Sequence, residues 1–196
     1  GEKGVGRRDF LKNSALGIIG AGVIGSGTLS AQEKAKKDAK AAPKEELPKI
    51  KEYRKLGRTG FKASDISSGG EVQEGVLNTL LDAGVNYIDT AESYGKSEVY
   101  VGNAMKGRDR KKVFITTKLV LNPKKETKES ILKRFRKQLE RLKTDYVDCL
   151  MMHSVANTAM VKHEGFHAAT KQLKQEGKLR FVEISNHGMQ WSKDPK

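Results

Sequence analysis

Four short apolar runs in this chain each end on a side chain that can do chemistry. Asp89 follows Val85-Asn86-Tyr87-Ile88, with Tyr94 five residues further on, and Lys118 ends the run Val113-Phe114-Ile115-Thr116-Thr117. His153 ends the run that starts at Tyr146, and Ser185-Asn186 follow Arg180-Phe181-Val182-Glu183-Ile184. A carboxylate, a phenol, an ammonium and an imidazole are the groups that hold, donate or steer protons. A hydroxyl beside a carboxamide can fix a polar ligand. Singly, each has an ordinary explanation: an Asp after a strand often caps a helix, and a Lys there usually faces water. Four such exits in register make a candidate site.

Other patterns compete with it. His163-Glu164-Gly165-Phe166-His167 spells H-E-x-x-H, which on a helix holds zinc between His163 and His167 and uses Glu164 as the base of a metalloprotease. Gly165 weakens a helix at that point, and only Glu183 or His187 is spaced to be a third ligand, so no metal is expected. Gly20-Ala21-Gly22-Val23-Ile24-Gly25 spells the dinucleotide fingerprint. A working copy ends a strand, opens a helix and is followed by an acid at the end of a second strand. Here an Ala-, Lys- and Glu-rich tract follows instead. Cys149, the one cysteine, stands among Val147, Leu150 and Met151 and reads as a small buried apolar residue, not a nucleophile.

The elements that must position the four exits alternate regularly. Lys128 to Lys143 places Ile131, Leu132, Phe135, Leu139 and Leu142 on one helical stripe, and Thr127 can cap its start. Glu71 to Ala83 ends on Gly84, and Met160 to Glu176 ends on Gly177; both glycines suit a left-handed helix end. A further strand is expected over Ala63 to Ser68. Strand onsets recur about every 30 residues, the length of one βαβ unit. That predicts a parallel α/β architecture with chemistry at the carboxyl ends of the strands. Periodicity alone leaves an open sheet and a closed barrel both standing.

The first 31 residues are of another kind. Arg7-Arg8-Asp9-Phe10-Leu11 precedes a weakly apolar stretch, and Leu29-Ser30-Ala31 supplies small residues where a signal peptidase could cut. This resembles a twin-arginine (Tat) export signal, which implies the Tat translocase as a partner and the periplasm, or another exported location, as destination. Residues 32–52 form a charged, proline-interrupted tract that reads as a flexible linker, and residues 53–196 form the folded part. The formal charge is +14, from 38 basic and 24 acidic residues. The two signs are interspersed and no nucleic-acid module is recognisable, so no nucleic-acid partner is expected. No apolar run reaches the ~18 residues of a membrane span without glycine breaks and polar flanks.

The segment Asn86-Tyr87-Ile88-Asp89-Thr90-Ala91-Glu92-Ser93-Tyr94-Gly95, continued by Ser97-Glu98 and Gly102, resembles the signature of the aldo-keto reductase family. Leu56-Gly57-Arg58-Thr59-Gly60 is similar to the family's opening hairpin. Ile115 to Lys118, Asp145 to Asp148 with His153, and Gly177 to Arg180 with Ser185-Asn186 resemble its next three blocks, in order. The resemblance implies a (β/α)8 TIM barrel, of which about the first five βα units are expected here as the front of a longer enzyme. It implies reduction of an aldehyde or ketone with NADPH. Tyr94 would be the general acid, with the Lys118 cation beside it stabilising phenolate and Asp89 fixing Lys118. His153 would orient the substrate carbonyl, and Ser185 and Asn186 would hold the nicotinamide carboxamide. Two departures stand out: Glu183 replaces the family's usual glycine, and the connection from Gly69-Gly70 into the first helix is short. The alternatives are the zinc metalloprotease on His163, Glu164 and His167, and a non-catalytic exported fragment.

Overall fold

The structure, a computed structural model, describes residues 49–186. The arginine-pair segment, the glycine-rich fingerprint, residues 32–48 of the charged tract and His187 lie outside the described residues. The Ile50 amide donates to the Ala83 carbonyl at 3.1 Å.

A small hairpin comes first. Strands β1 (Tyr53–Lys55) and β2 (Lys62–Ser64) pair antiparallel, with Arg54 opposite Ala63. Gly60, at φ 75°, lets the connecting turn close. The single strand expected over Ala63 to Ser68 is divided instead. The Ser64 hydroxyl donates to the Ile66 carbonyl (2.6 Å) and the Ser64 amide donates to the Asn86 side chain (2.7 Å). Those bonds turn the backbone out of the ladder, and only Ser68 returns, through one parallel bridge to Ile88.

Four parallel strands then lie side by side in chain order: β3 (Tyr87–Asp89), β4 (Phe114–Val120), β5 (Val147–His153) and β6 (Leu179–Ile184). Their register aligns Ile88 with Ile115, and Lys118 with Met151 and Glu183. Alternation along a strand sends successive side chains to opposite faces. Ile88, Ile115, Leu119, Leu150 and Met152 therefore pack outward against the connecting helices. These are α1 (Glu74–Asp82), α2 (Ser97–Ala104), α3 (Lys128–Leu142), α4 (Thr158–Val161) and α5 (Glu164–Gln175). The opposite face begins with aromatics: Phe114 contacts Tyr87 (centroids 5.3 Å apart), Phe181 (6.1 Å) and, from the hairpin, Phe61 (5.4 Å).

One charge is built into the ladder. Asp148 is buried and accepts from the Ile115 amide (2.9 Å), Arg110 Nη2 (2.8 Å) and Arg180 Nη1 (2.6 Å). A carboxylate there is tolerable because three donors satisfy it. It ties β4, β5 and β6 together at their amino-terminal ends.

The helices follow their sequence signals closely, with one exception. Helix α3 starts with a reciprocal cap: Thr127 Oγ1 accepts from the Ser130 amide while Ser130 Oγ accepts from the Thr127 amide. Its buried stripe is the expected one plus Gln138. Gly84 (φ 100°) and Gly177 (φ 69°) are left-handed, as expected after α1 and α5. The single helix expected from Met160 to Glu176 is broken between Val161 and Glu164. His163 takes extended geometry there, and its Nδ1 accepts from the Phe166 amide at 3.1 Å, so it caps α5 instead of continuing a helix.

Helices α2 and α3 touch backbone to backbone at Gly102. A Cβ there would meet the Arg141 carbonyl oxygen and come within 2.8 Å of the Leu142 carbonyl carbon. Gly102→Ala is expected to lower stability by about 1–3 kcal/mol, read as a drop in urea midpoint. An unshifted midpoint would show that the two helices can separate freely.

Candidate active site

Lys118 sits near the carboxyl end of β4. Its neighbour Thr117 faces the helices, where its hydroxyl donates to Glu98 of α2 at 2.6 Å. Alternation then turns Lys118 to the inner face, where it is 5% exposed. An ammonium so placed needs acceptors for its three protons. Nζ makes an ion pair with the Asp89 carboxylate, donates to the Thr90 carbonyl at 3.0 Å, and stands 3.5 Å from Tyr94 Oη. The same Nζ lies 4.8 Å from the centre of the Tyr94 ring.

Tyr94 is carried by the turn between β3 and α2. The Thr90 amide donates to the Thr116 carbonyl (2.9 Å) and the Glu92 amide to the Lys118 carbonyl (3.2 Å), so the segment follows β4 past the end of β3. The Tyr94 amide then donates to the Ala91 carbonyl (3.1 Å) and Ser97 caps back to the Tyr94 carbonyl (2.8 Å). This tight turn is what the five-residue spacing from Asp89 to Tyr94 encodes. Tyr94 remains half-buried, open to a ligand. His153, buried at the end of β5, meets it edge-on, with ring centroids 5.6 Å apart at 89°. Asp89, Tyr94, Lys118 and His153 are thus brought together.

Ser185 and Asn186 stand at the β6 exit, against the loop that follows His153. Ser185 Oγ accepts from the Ser154 amide (3.2 Å), the Ser185 carbonyl accepts from the Val155 amide (2.8 Å), and Asn186 Nδ2 donates to the Val155 carbonyl (2.6 Å). Their polar groups face the same end of the sheet as the other four. The hollow lined by Tyr53, Phe61, Leu81, Gly84 and Val113 lies at the opposite, amino-terminal ends of the strands and contains none of these residues.

Below the ionic group, the inner face is polar but held neutral. Burial pushes the Cys149 thiol well above its ordinary 9.0, and the Glu183 carboxylate beside it adds to the shift. Burial likewise pushes the Tyr87 phenol above 10.0, against the opposing effect of its hydrogen bond with Thr116. Cys149 is therefore the inert buried thiol its neighbours suggested.

The H-E-x-x-H residues have other work. His163 caps α5, and His167 Nε2 is 2.7 Å from the Val161 carbonyl. Among the described residues, no group of three His, Cys, Asp or Glu side chains is gathered to hold a metal.

Several contacts beside the site were not evident from the sequence. Glu92 and Glu126 both bind Arg134, at the Oε2 and Oε1 oxygens respectively. Glu98 is buried between Thr117, Gln138 Nε2 (3.0 Å) and Arg141 Nε (2.7 Å). A polar residue on the apolar stripe of α3, Gln138, was the available signal for the second cluster; the first has none.

Comparison with known proteins adds a family. The sequence profile of the Aldo/keto reductase family matches residues 62–193. The chain is 35% identical over 130 residues to a probable voltage-gated potassium channel subunit beta of Oryza sativa subsp. japonica, covering 57% of this chain and 40% of that protein. It is 34% identical over 112 residues to methylglyoxal reductase DkgB of Escherichia coli O157:H7, covering 56% and 41%. The holo form of aldo-keto reductase AKR11C1 from Bacillus halodurans superposes with a TM-score of 0.59 at 29% identity, over 69% of this chain and 50% of that one. The chain spans about half or less of the length of these relatives. The matching solved structures are (β/α)8 barrels, and the parallel strands described above form a section of that fold.

The raised pKa values of Cys149 and Tyr87 give a pH dependence with a definite sign. Both groups stay neutral in the folded chain at a pH where the unfolded chain ionises them. Their contribution to stability is complete below the ordinary thiol value of 9.0 and is lost as pH rises beyond it. The urea midpoint is expected to fall between about pH 8 and about pH 10, less steeply in Cys149→Ala. A midpoint that rises over this range would contradict the assignment.

Proposed function

This chain belongs to the aldo/keto reductase family, and on that footing we propose that it carries the catalytic residues of an NADPH-dependent reductase turning an aldehyde or ketone into an alcohol. One observation carries the reading: Lys118 Nζ, paired with Asp89, stands 3.5 Å from the phenol oxygen of Tyr94.

The residues present suit a nicotinamide cofactor. Ser68 Oγ is buried without a hydrogen-bond partner, and the Ser68 carbonyl accepts the Asp89 amide at 2.8 Å, next to the ionic group. Ser185 and Asn186 offer the hydroxyl and amide groups that a carboxamide needs. When bound, the cofactor supplies a hydride to the carbonyl carbon. NADPH rather than NADH, and Ser185 and Asn186 as its contacts, are part of the proposal.

The chain's own residues handle the charge that results. His153 donates a hydrogen bond to the carbonyl oxygen and orients it toward Tyr94. Tyr94 gives its phenol proton to that oxygen as negative charge grows there. The Lys118 ammonium stabilises the phenolate left behind, and it costs no reorganisation because Asp89 and the Thr90 carbonyl already hold it. Asp89 acts through Lys118 and needs no contact with substrate.

Export belongs to the same reading, on the strength of Arg7-Arg8-Asp9-Phe10-Leu11. Changing both arginines to lysine is expected to retain the protein inside the cell, seen by fractionation.

In the full-length protein, Tyr94→Phe is expected to cut turnover of a test aldehyde by about 100-fold or more and leave NADPH affinity within about twofold. Lys118→Met is expected to behave alike. Normal turnover by Tyr94→Phe would end this mechanism.

A further inference from the structure

The turn that carries Tyr94 is held by a few backbone hydrogen bonds, among them Glu92 amide to Lys118 carbonyl and Tyr94 amide to Ala91 carbonyl, and lies outside regular structure. Residues 90–96 belong to no helix or strand, Gly95 is left-handed at φ 49°, and Ser93 and Lys96 are exposed. Two acidic side chains flanking the tyrosine nevertheless reach the same helix. Glu98 pairs with Arg141 and Glu92 with Arg134. The two arginines are seven residues apart on α3, two turns along one face.

The Arg134 contact is more than an ordinary surface pair. Its Nε donates to both Glu92 oxygens (3.1 and 3.3 Å) and its Nη2 also bonds Glu92, in a forked arrangement. Nη1 donates to Glu126 at 2.6 Å, and Nη2 donates to the Val120 carbonyl at 3.0 Å. All three side chains are largely shielded, Glu126 to 16% exposure. A forked, shielded and networked pair is the kind that holds geometry, unlike an isolated surface bridge. Its position matters as well. Glu92 is two residues from Tyr94, and Val120 is two residues from Lys118. One guanidinium thus spans the two backbone segments whose separation sets the distance from phenol oxygen to ammonium. Helix α3 does not need the pair to stay in place, because Ile131, Phe135 and Leu142 are fully buried beneath it.

We propose that Arg134 and Glu92 are a positioning pair, whose fork keeps the Tyr94 turn and the Lys118 strand end in mutual register for proton transfer. This rests on Tyr94 being the proton donor. Displacement of a reacting group by about 1 Å can cost about 100-fold in rate, so loss of the fork acts on the chemical step and leaves binding nearly intact.

The test uses the full-length protein with NADPH and methylglyoxal as probe substrate. Arg134→Met keeps the apolar stem and removes the fork. It is expected to lower kcat about tenfold or more with KM and NADPH affinity within about twofold, and to enlarge the solvent deuterium isotope effect on kcat. Arg134→Lys, a single point of charge, is expected to fall between. The swapped pair Glu92→Arg with Arg134→Glu is expected to recover part of the lost kcat. Parental kcat in Arg134→Met with Tyr94→Phe inactive would overturn the positioning role and leave the mechanism standing. An equal loss of kcat and NADPH affinity, with no recovery in the swap, would also overturn it, since that is general unfolding. Normal turnover in Tyr94→Phe would remove both.

Discussion

An ammonium group shut away from water has three protons to place, and much of the described structure is arranged to place those of Lys118. Burying such an ion is costly unless its partners are already fixed. Here they come from the exit of the neighbouring strand: the Asp89 carboxylate, the Thr90 carbonyl and, at 3.5 Å, the Tyr94 phenol. That single requirement explains why β3 stops at Asp89 while its backbone continues alongside β4. It also explains why Tyr94 lies on a turn, since a regular helix starting at Thr90 would have carried the phenol away.

The two ends of the sheet divide the labour. At the amino-terminal ends, Asp148 gathers Arg110, Arg180 and the Ile115 amide, and Phe61 from the hairpin covers Phe114. These contacts satisfy the buried carboxylate and serve the fold. At the carboxyl ends, Asp89, Tyr94 and Ser185 stay half-exposed around the buried Lys118 and His153. Helix α3 joins the two roles. Its inner stripe is mostly ordinary packing, while Gln138 and Arg134 reach the end of β4, Arg134 also reaches Glu92 on the Tyr94 turn, and Arg141 reaches Glu98 of α2.

The parts of this that could be read from sequence are those with local signals. Short apolar runs ending at Asp89, Lys118, His153 and Ser185 marked the strand exits, and parallel register does the rest, because exits of neighbouring parallel strands lie side by side. Thr127 announced α3, and Gly84 and Gly177 announced helix ends. The failures are equally physical. The strand expected to Ser68 is split because side-chain bonds from Ser64 and Asn86 compete with the ladder, and such competition has no period. The helix expected from Met160 is broken because a histidine nitrogen can cap as serine does, yet histidine is not among the usual caps. Arg134 was invisible because its partners lie 42 and 8 residues away, and a charged residue beside an apolar stripe looks like any solvated face.

Along the inner face the side chains change character in steps of two residues: aromatic at Phe114, hydroxyl and thiol at Thr116 and Cys149, ionic at Lys118. The middle layer insulates. The Cys149 thiol and the Tyr87 phenol are both held in their neutral forms by burial, so charge on this face is confined to the layer at the strand exits. A side chain on this face therefore meets charge and solvent together only where the strands leave the sheet.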